Sequence, residues 1–284
     1  MTTQMVVKGD NIDMPDCLND IVEQFDGFII DQFGVLHDGQ RPYPEAVQTL
    51  QMLMAADKTV IILSNSGKRA SVNVLRMAQL GFARTLFTEF VTSGDVASDQ
   101  IKSQFPECRR CLLIARDGDV SAIDDLSLEA VDNARQADLV IISASEGDLY
   151  SEQHYVELLK TAAHRQLPCI CTNPDKLMLT KNGIRFGAGR IAELYEQLGG
   201  SVQWIGKPYQ EVYNYALRYL QRVSAERILC IGDSLEHDIA GGAAAGLKTL
   251  FISGGIHREL DDVALANAMH RHQVLPDFQL RLFR

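Results

Sequence analysis

Residues 26–39 read DGFIIDQFGVLHDG. An apolar run, Phe28 to Ile30, delivers one carboxylate, Asp31, into a turn that contains Gly34. A short apolar run bounded by glycines reads as a buried strand. The glycine turn beyond it would hold the Asp31 carboxylate at the edge of a sheet rather than in its core. Two positions further on, where a second acid would complete a pair, stands Phe33.

The same pattern recurs. TVIIL at 59–63 leads to Ser64 and Asn65, and RILCI at 227–231 leads to Gly232, Asp233 and Ser234. Short β-branched runs alternate with helical patterns along the chain, which predicts an α/β architecture with parallel strands. Ligands of an open parallel sheet sit beyond the carboxyl ends of its strands, so these three polar ends are expected to converge on one site.

Between Ser64 and Trp204 lies a second series of the same kind: CLLIARDGD (111–119), ADLVIISAS (137–145) and LPCICTNPD (167–175). Helical patterns separate them, among them SEQHYVELLKTAAHRQ (151–166), and GAGRIAELYEQLGG (187–200) reads as a turn into an amphipathic helix ended by Gly199 and Gly200. An insertion with its own strands is a domain rather than a loop. The expected division is a discontinuous first domain, 1–68 and 204–284, with 69–203 inserted as a cap.

Bulk properties narrow the function. With 284 residues, 46% hydrophobic and 23% charged, the chain has an ordinary globular composition. Its net charge of −10 would repel a phosphate backbone, so nucleic acid is not expected as a partner. The stretch MTTQMVVKGDNIDMPDCLND (1–20) lacks the apolar core of a signal peptide, and no apolar run approaches the length of a membrane span. A cytoplasmic chain without membrane partners is expected. Six cysteines do not make a disulfide scaffold in a chain this long, and Cys17, Cys169, Cys171 and Cys230 lie in or beside apolar runs where buried free thiols are common. Cys108 and Cys111 form a C-x-x-C, but the Cys169 and Cys171 pair has the wrong spacing to complete a usual zinc knuckle.

Four segments carry chemistry. Asp31 offers a carboxylate nucleophile. LSNSGKRA (63–70) supplies the hydroxyl of Ser64 and the amide of Asn65. IGKPYQEVYNYAL (205–217) supplies Lys207 before Pro208, which suits a first helical turn. IGDSLEHDIAGGAAAG (231–246) supplies Asp233 and Asp238, which a turn and a helix start bring towards one cation. Together these are the parts of a phosphoryl-transfer site: a nucleophile, groups that neutralise phosphoryl oxygens, and oxygen ligands for Mg²⁺.

In order along the chain, Asp31-Gln32-Phe33-Gly34-Val35, Ser64-Asn65, Lys207-Pro208 and Gly232-Asp233-Ser234 through Asp238 resemble the four motifs of the haloacid dehalogenase (HAD) superfamily. The cap position, TNPD (172–175), GAG (187–189) and VTSGD (91–95) resemble its type IIA, NagD-like branch. The resemblance implies a Rossmann-like HAD core with a parallel sheet and an inserted α/β cap of type C2. It implies an Mg²⁺-dependent hydrolase in which Asp31 forms an aspartyl-phosphate that water cleaves. Asp31, Asp233, Asp238 and the backbone carbonyl of Phe33 would serve the metal. Ser64, Asn65 and Lys207 would hold the phosphoryl group, and Asn173 and Asp175 of the cap would contact the leaving group of a small phosphorylated metabolite, a sugar phosphate or a nucleotide. A homodimer is compatible with such caps.

One departure stands out. Phosphatases resembling this chain carry an acid two residues after the nucleophile, and Phe33 cannot transfer a proton. General acid–base help is typically worth about 10²–10⁴ in rate, so its loss would favour good leaving groups without abolishing turnover. His37 or a cap residue could take over the role. Two other readings stay open: a regulatory protein that binds phosphate and Mg²⁺ with little turnover, and a dehalogenase-like hydrolase, whose halide leaving group needs no acid. His237 and His257 are expected to be exposed or supporting, and Tyr209, Tyr213 and Tyr219 to pack a helix.

Overall fold

The apolar runs become parallel strands in the computed structural model, which describes residues 12–180 and 183–284. Over residues 1–11, the reading of the N-terminal stretch lies outside the described residues. The chain starts with β1 (Gly27–Asp31), α1 (Ala46–Ala55), β2 (Thr59–Ser64), α2 (Ala70–Gln79), β3 (Glu89–Thr92) and α3 (Ser93–Gln104). It continues through β4 (Arg110–Ile114), β5 (Glu129–Ala130), β6 (Leu139–Ile142), α4 (Glu152–His164) and β7 (Cys169–Cys171). A hairpin, β8 (Leu177–Thr180) and β9 (Gly183–Phe186), precedes α5 (Ala188–Gln197) and β10 (Val202–Trp204). The return is α6 (Gln210–Leu217), β11 (Ile228–Gly232), α7 (Gly241–Ala244), β12 (Lys248–Ile252), α8 (Asp262–His272) and β13 (Phe278–Leu280).

Among the described residues the first sheet has the order β13-β12-β11-β1-β2-β3, every pair parallel. The second has the order β10-β7-β6-β4-β5, also parallel. In the first sheet the chain moves outward from β1 through β2 to β3, then resumes on the other side of β1 with β11. The strand order therefore reverses between β1 and β11, the place where a parallel sheet opens a crevice for a ligand. Asp31 ends one of these strands and Asp233 follows the other.

Alternating side chains explain why these strands read as continuous apolar runs. Phe28 and Ile30 of β1 enter one buried cluster with Val60, Ile62, Leu229 and Ile231, while Ile29 enters another with Ile61, Leu63, Ile228 and Cys230. Burying each such aliphatic side chain is worth roughly 1.5–3 kcal/mol. The second cluster also takes Cys111, Leu139, Ile141 and Ile170 from the second sheet, with Val96 and Ile101 of α3 and Val212 and Tyr213 of α6. The two sheets thus share this apolar layer, and each keeps a further cluster of its own, Val60 and Ile62 with Leu50 on the first sheet and Val140 and Ile142 with Leu159 on the second.

This arrangement corrects the expected boundary. Residues 69–92 are expected in the insertion, yet β3 pairs with β2 over Ile61–Ser64 and Glu89–Thr92, so the chain leaves the first sheet only after Thr92. The short TEFVT stretch lacks the long β-branched run that marks its neighbours, and its strand character comes from pairing. Pro208 also departs from expectation: α6 begins at Gln210, and Pro208 precedes it with a cis bond to Lys207. Among the described residues no helix is long and apolar enough to cross a membrane.

Candidate active site

Each polar strand end reaches the same crevice. Asp31 is the last residue of β1 and Ser64 the last of β2. Beyond β11 the backbone enters a π-helical turn, Leu235–Ala240, capped by Ser234, whose hydroxyl accepts the His237 N–H at 3.1 Å. The Ser234 N–H donates to Asp238 Oδ2 at 3.1 Å, which folds that carboxylate back towards the strand end. Such wide turns are rare and concentrate at functional sites. Tyr213, buried as a packing residue, donates its hydroxyl to the His237 carbonyl at 2.8 Å and fixes the turn from α6.

Lys207 closes the group. Its Nζ lies 2.5 Å from Asp31 Oδ1 and 2.7 Å from Asp238 Oδ1, with only 4% of the side chain exposed. Asp233 accepts the Ile256 N–H at 2.6 Å, and one oxygen from each of Asp31, Asp233 and Asp238 lies within 4.8 Å of the others. A Cβ at Gly34, whose φ is +93°, would stand 1.9 Å from Asp233 Oδ2, so only glycine lets the turn after β1 pass this carboxylate.

Three buried carboxylates face one ammonium. Burial pushes the Asp31 carboxyl up to about 7, with Lys207 pulling it down and Asp238 adding to the rise. Burial, then the charges of Asp31 and Asp238, raises Asp233 well above the carboxylate range. Burial opposes the charge of Lys207, but Asp238 and Asp31 outweigh it and hold the ammonium above the ordinary lysine range. The set is short of positive charge, and its donors are hard oxygens. Both features fit a divalent cation of the Mg²⁺ type.

Other expected site residues are placed differently. Ser64 Oγ accepts the Ser66 N–H at 3.2 Å, which leaves its own proton free to donate. Asn65, expected to hold the phosphoryl group, instead turns its side chain to the Lys207 backbone: its Oδ1 accepts the Lys207 N–H at 2.6 Å, and its Nδ2 donates to the Lys207 carbonyl at 3.2 Å. Asn173, expected at the leaving group, uses its side-chain oxygen to accept the Asp175 N–H at 3.1 Å, an Asx turn. Asp175 Oδ1 accepts from Asn65 Nδ2 at 2.8 Å and lies 3.4 Å from His237 Nδ1. That contact gives His237 the supporting place that was one of its two expected roles.

Phe33 and His37 settle against each other away from proton transfer. The Phe33 ring is 46% exposed and meets the His37 ring edge-on at 5.9 Å. His37 is 1% exposed, accepts the Gly39 N–H on Nδ1 at 2.9 Å and faces the Gln32 amide with Nε2 at 3.0 Å. Burial, aided by the nearby Arg76 charge, lowers its pKa to about 4. With both nitrogens engaged and the ring buried, His37 does not replace the missing acid. The cysteines are free, and Cys111, Cys169 and Cys171 are buried in strands; among the described residues the acidic trio is the group with metal-ligand geometry.

The chain is similar to known proteins along most of its length. Residues 28–129 match the family described as haloacid dehalogenase-like hydrolase, and 204–279 match HAD-hydrolase-like proteins. A solved hydrolase of the haloacid dehalogenase-like family from Brucella suis 1330 is 31% identical, with a TM-score of 0.83 over 95% of this chain and 100% of that one. Chronophin of Rattus norvegicus is 26% identical over 92% of this chain and 86% of its own. The D-glycerol 3-phosphate phosphatase of Mycobacterium tuberculosis is 25% identical over 87% of this chain and 68% of its own.

Proposed function

The chain belongs to the haloacid dehalogenase-like hydrolases, and we propose that it is an Mg²⁺-dependent phosphatase acting on a small phosphorylated metabolite, a sugar phosphate or a nucleotide. The observation that carries this reading is the convergence of Asp31, Asp233 and Asp238 around Lys207 at the strand-order reversal. The names of relatives that act on small phosphate esters, D-glycerol 3-phosphate among them, support the substrate class.

Asp31, Asp233 and Asp238, with the Phe33 carbonyl, would hold the cation. When bound, it neutralises phosphoryl charge and relieves the excess of buried carboxylates. Asp31 attacks phosphorus as its bond to the leaving oxygen breaks. Lys207 and the Ser64 hydroxyl hold the phosphoryl oxygens, and Lys207 also screens Asp31 from their charge. The leaving oxygen takes its proton from solvent, because Phe33 has none to give. Water then attacks the phosphorus of the aspartyl-phosphate, the bond to Asp31 breaks, and orthophosphate and the free carboxylate result. Lacking a built-in acid, the site favours esters with weakly basic leaving groups.

A panel of phosphate esters assayed with and without Mg²⁺, on wild type and Asp31→Asn, tests the reading. Mg²⁺-dependent release of orthophosphate that Asp31→Asn abolishes is the expected result. Turnover that survives the substitution defeats the mechanism, and orthophosphate binding without turnover points to a regulatory role. Halide release without metal would return the dehalogenase reading, which the acidic trio does not favour.

A further inference from the structure

We propose that Asp175 is a positioning residue that acts through Asn65 on Lys207, rather than a contact for the leaving group. The inference rests on the phosphatase reading for the reaction it serves.

Lys207 approaches Asp31 and Asp238 by its ammonium, but its backbone is gripped from both sides by one side chain. Asn65 accepts from the Lys207 N–H at 2.6 Å and donates to the Lys207 carbonyl at 3.2 Å, across 142 residues of sequence. The second Nδ2 hydrogen goes to Asp175 Oδ1 at 2.8 Å. Every hydrogen of the Asn65 amide is then used. An amide turned the other way would set its oxygen against the Asp175 carboxylate and the Lys207 carbonyl, and its NH₂ against the Lys207 N–H. Asp175 is an acceptor only, so its presence selects the orientation that holds Lys207.

The post that carries Asp175 is built to stay in place. Asn173 Oδ1 accepts the Asp175 N–H, and the Asp175 carbonyl accepts the Gly189 N–H at 3.0 Å. A Cβ at Gly187 would lie 2.1 Å from the Asp175 carbonyl oxygen, and one at Gly189 would lie 2.2 Å from that of Pro174. The GAG segment therefore packs directly on the Asn173–Asp175 turn, which explains in physical terms why the two stretches accompany each other in this chain. Asp175 also lies 3.4 Å from His237, whose backbone Ser234 and Tyr213 hold in the turn that carries Asp238.

The two roles separate by substrate. A leaving-group contact matters to some esters and not to others, whereas a misplaced Lys207 weakens phosphoryl binding whatever the ester. We therefore compare wild type, Asp175→Ala, Asp175→Asn, Asn65→Ala and the Asn65→Ala/Asp175→Ala double variant on p-nitrophenyl phosphate and glycerol phosphate, with inhibition by orthophosphate. Asp175→Ala is expected to lower kcat/KM about tenfold on both esters and to weaken orthophosphate inhibition by a similar factor. Asp175→Asn, which keeps an oxygen for Asn65, should stay within about threefold of wild type, and in the Asn65→Ala background Asp175→Ala should cost less than about twofold more.

A loss confined to glycerol phosphate, additive losses in the double variant, or an Asp175→Asn as impaired as Asp175→Ala would each overturn the inference. If Asp175→Ala does not fold, Asp175→Asn and Asn65→Ala still decide it through the same orthophosphate readout. A wild type inert on both esters defeats the phosphatase reading. Calorimetry with orthophosphate and Mg²⁺ then tests the positioning role, with unchanged affinity in Asp175→Ala counting against it and absence of binding by wild type overturning both.

Discussion

The ammonium of Lys207 lies 2.5 Å from Asp31 Oδ1, although 176 residues separate the two in the chain. The contact joins the end of the central strand to the segment that leaves the second sheet. It also bears on how three acids tolerate burial together: one ammonium is shared between Asp31 and Asp238, while burial raises Asp233 and so favours its uncharged form.

Removing that cation should be costly. Lys207→Met leaves buried carboxylates unpaired, and a loss of about 3–5 kcal/mol is expected in urea unfolding at pH 8 without divalent metal. Because the Asp31 carboxyl already lies up at about 7, the loss should shrink at pH 5, where that group is protonated. Added Mg²⁺ should recover part of it at pH 8. A variant equally stable at both pH values would show that the ammonium does not compensate the trio.

Gly34 sets the space for Asp233. Gly34→Ala forces a side chain into a backbone with φ +93° and places its Cβ 1.9 Å from Asp233 Oδ2. The backbone conflict alone is worth roughly 1–3 kcal/mol. Displacement of the carboxylate should raise the Mg²⁺ concentration for half-maximal activity about tenfold or more, a change of about 1.4 kcal/mol. Titrating activity with Mg²⁺ checks this, and an unchanged midpoint would remove Asp233 from the metal site.

His37 gives the protein an acid-sensitive component. Its folded pKa is about 4 against an ordinary 6.5, so between those values the unfolded chain binds more protons than the folded one. Stability from this residue is therefore present above pH 6.5 and is lost as pH falls towards 4, by roughly 3 kcal/mol at most. Asp31 contributes in the opposite sense, because its raised carboxyl binds protons preferentially in the folded state below about 7. Urea unfolding of His37→Gln beside wild type from pH 4.5 to 7.5 isolates the histidine: the difference should grow more favourable to the variant as pH falls.

Phe33→Asp tests what the absent acid costs. The ring is half exposed and leans on His37, so its loss should disturb packing little. An acid at this position should raise turnover of alkyl phosphates by about tenfold or more while leaving p-nitrophenyl phosphate nearly unchanged, since general acid help scales with leaving-group basicity. Equal effects on both esters would show that proton transfer does not limit the wild-type rate.

Much of the site was legible because its residues stand at strand ends. In β1, β2 and β11 a buried apolar run gives way to a polar residue, and that discontinuity marks Asp31, Ser64 and Asp233 as candidates in the sequence itself. β3 escaped because a four-residue strand borrows its order from β2. His37 stands in sequence as a candidate for the missing acid, since local sequence does not report that Phe33 and Phe82 pack against its ring. Asn65 and Asp175 were read as ligand contacts for the same reason: an amide shows its donors and acceptors in sequence, but not who receives them.

By itself the order of residues determined the α/β class, the convergence of polar strand ends and the acids that could serve a cation, because periodicity and chain breaks are local properties. Which side chain grips which backbone, that one apolar layer serves both sheets, and that an asparagine holds the lysine while a cap aspartate orients the asparagine, were decided only by tertiary packing. Those choices depend on distances between segments remote in the chain, where directed hydrogen bonds and excluded volume select among partners that sequence leaves equivalent.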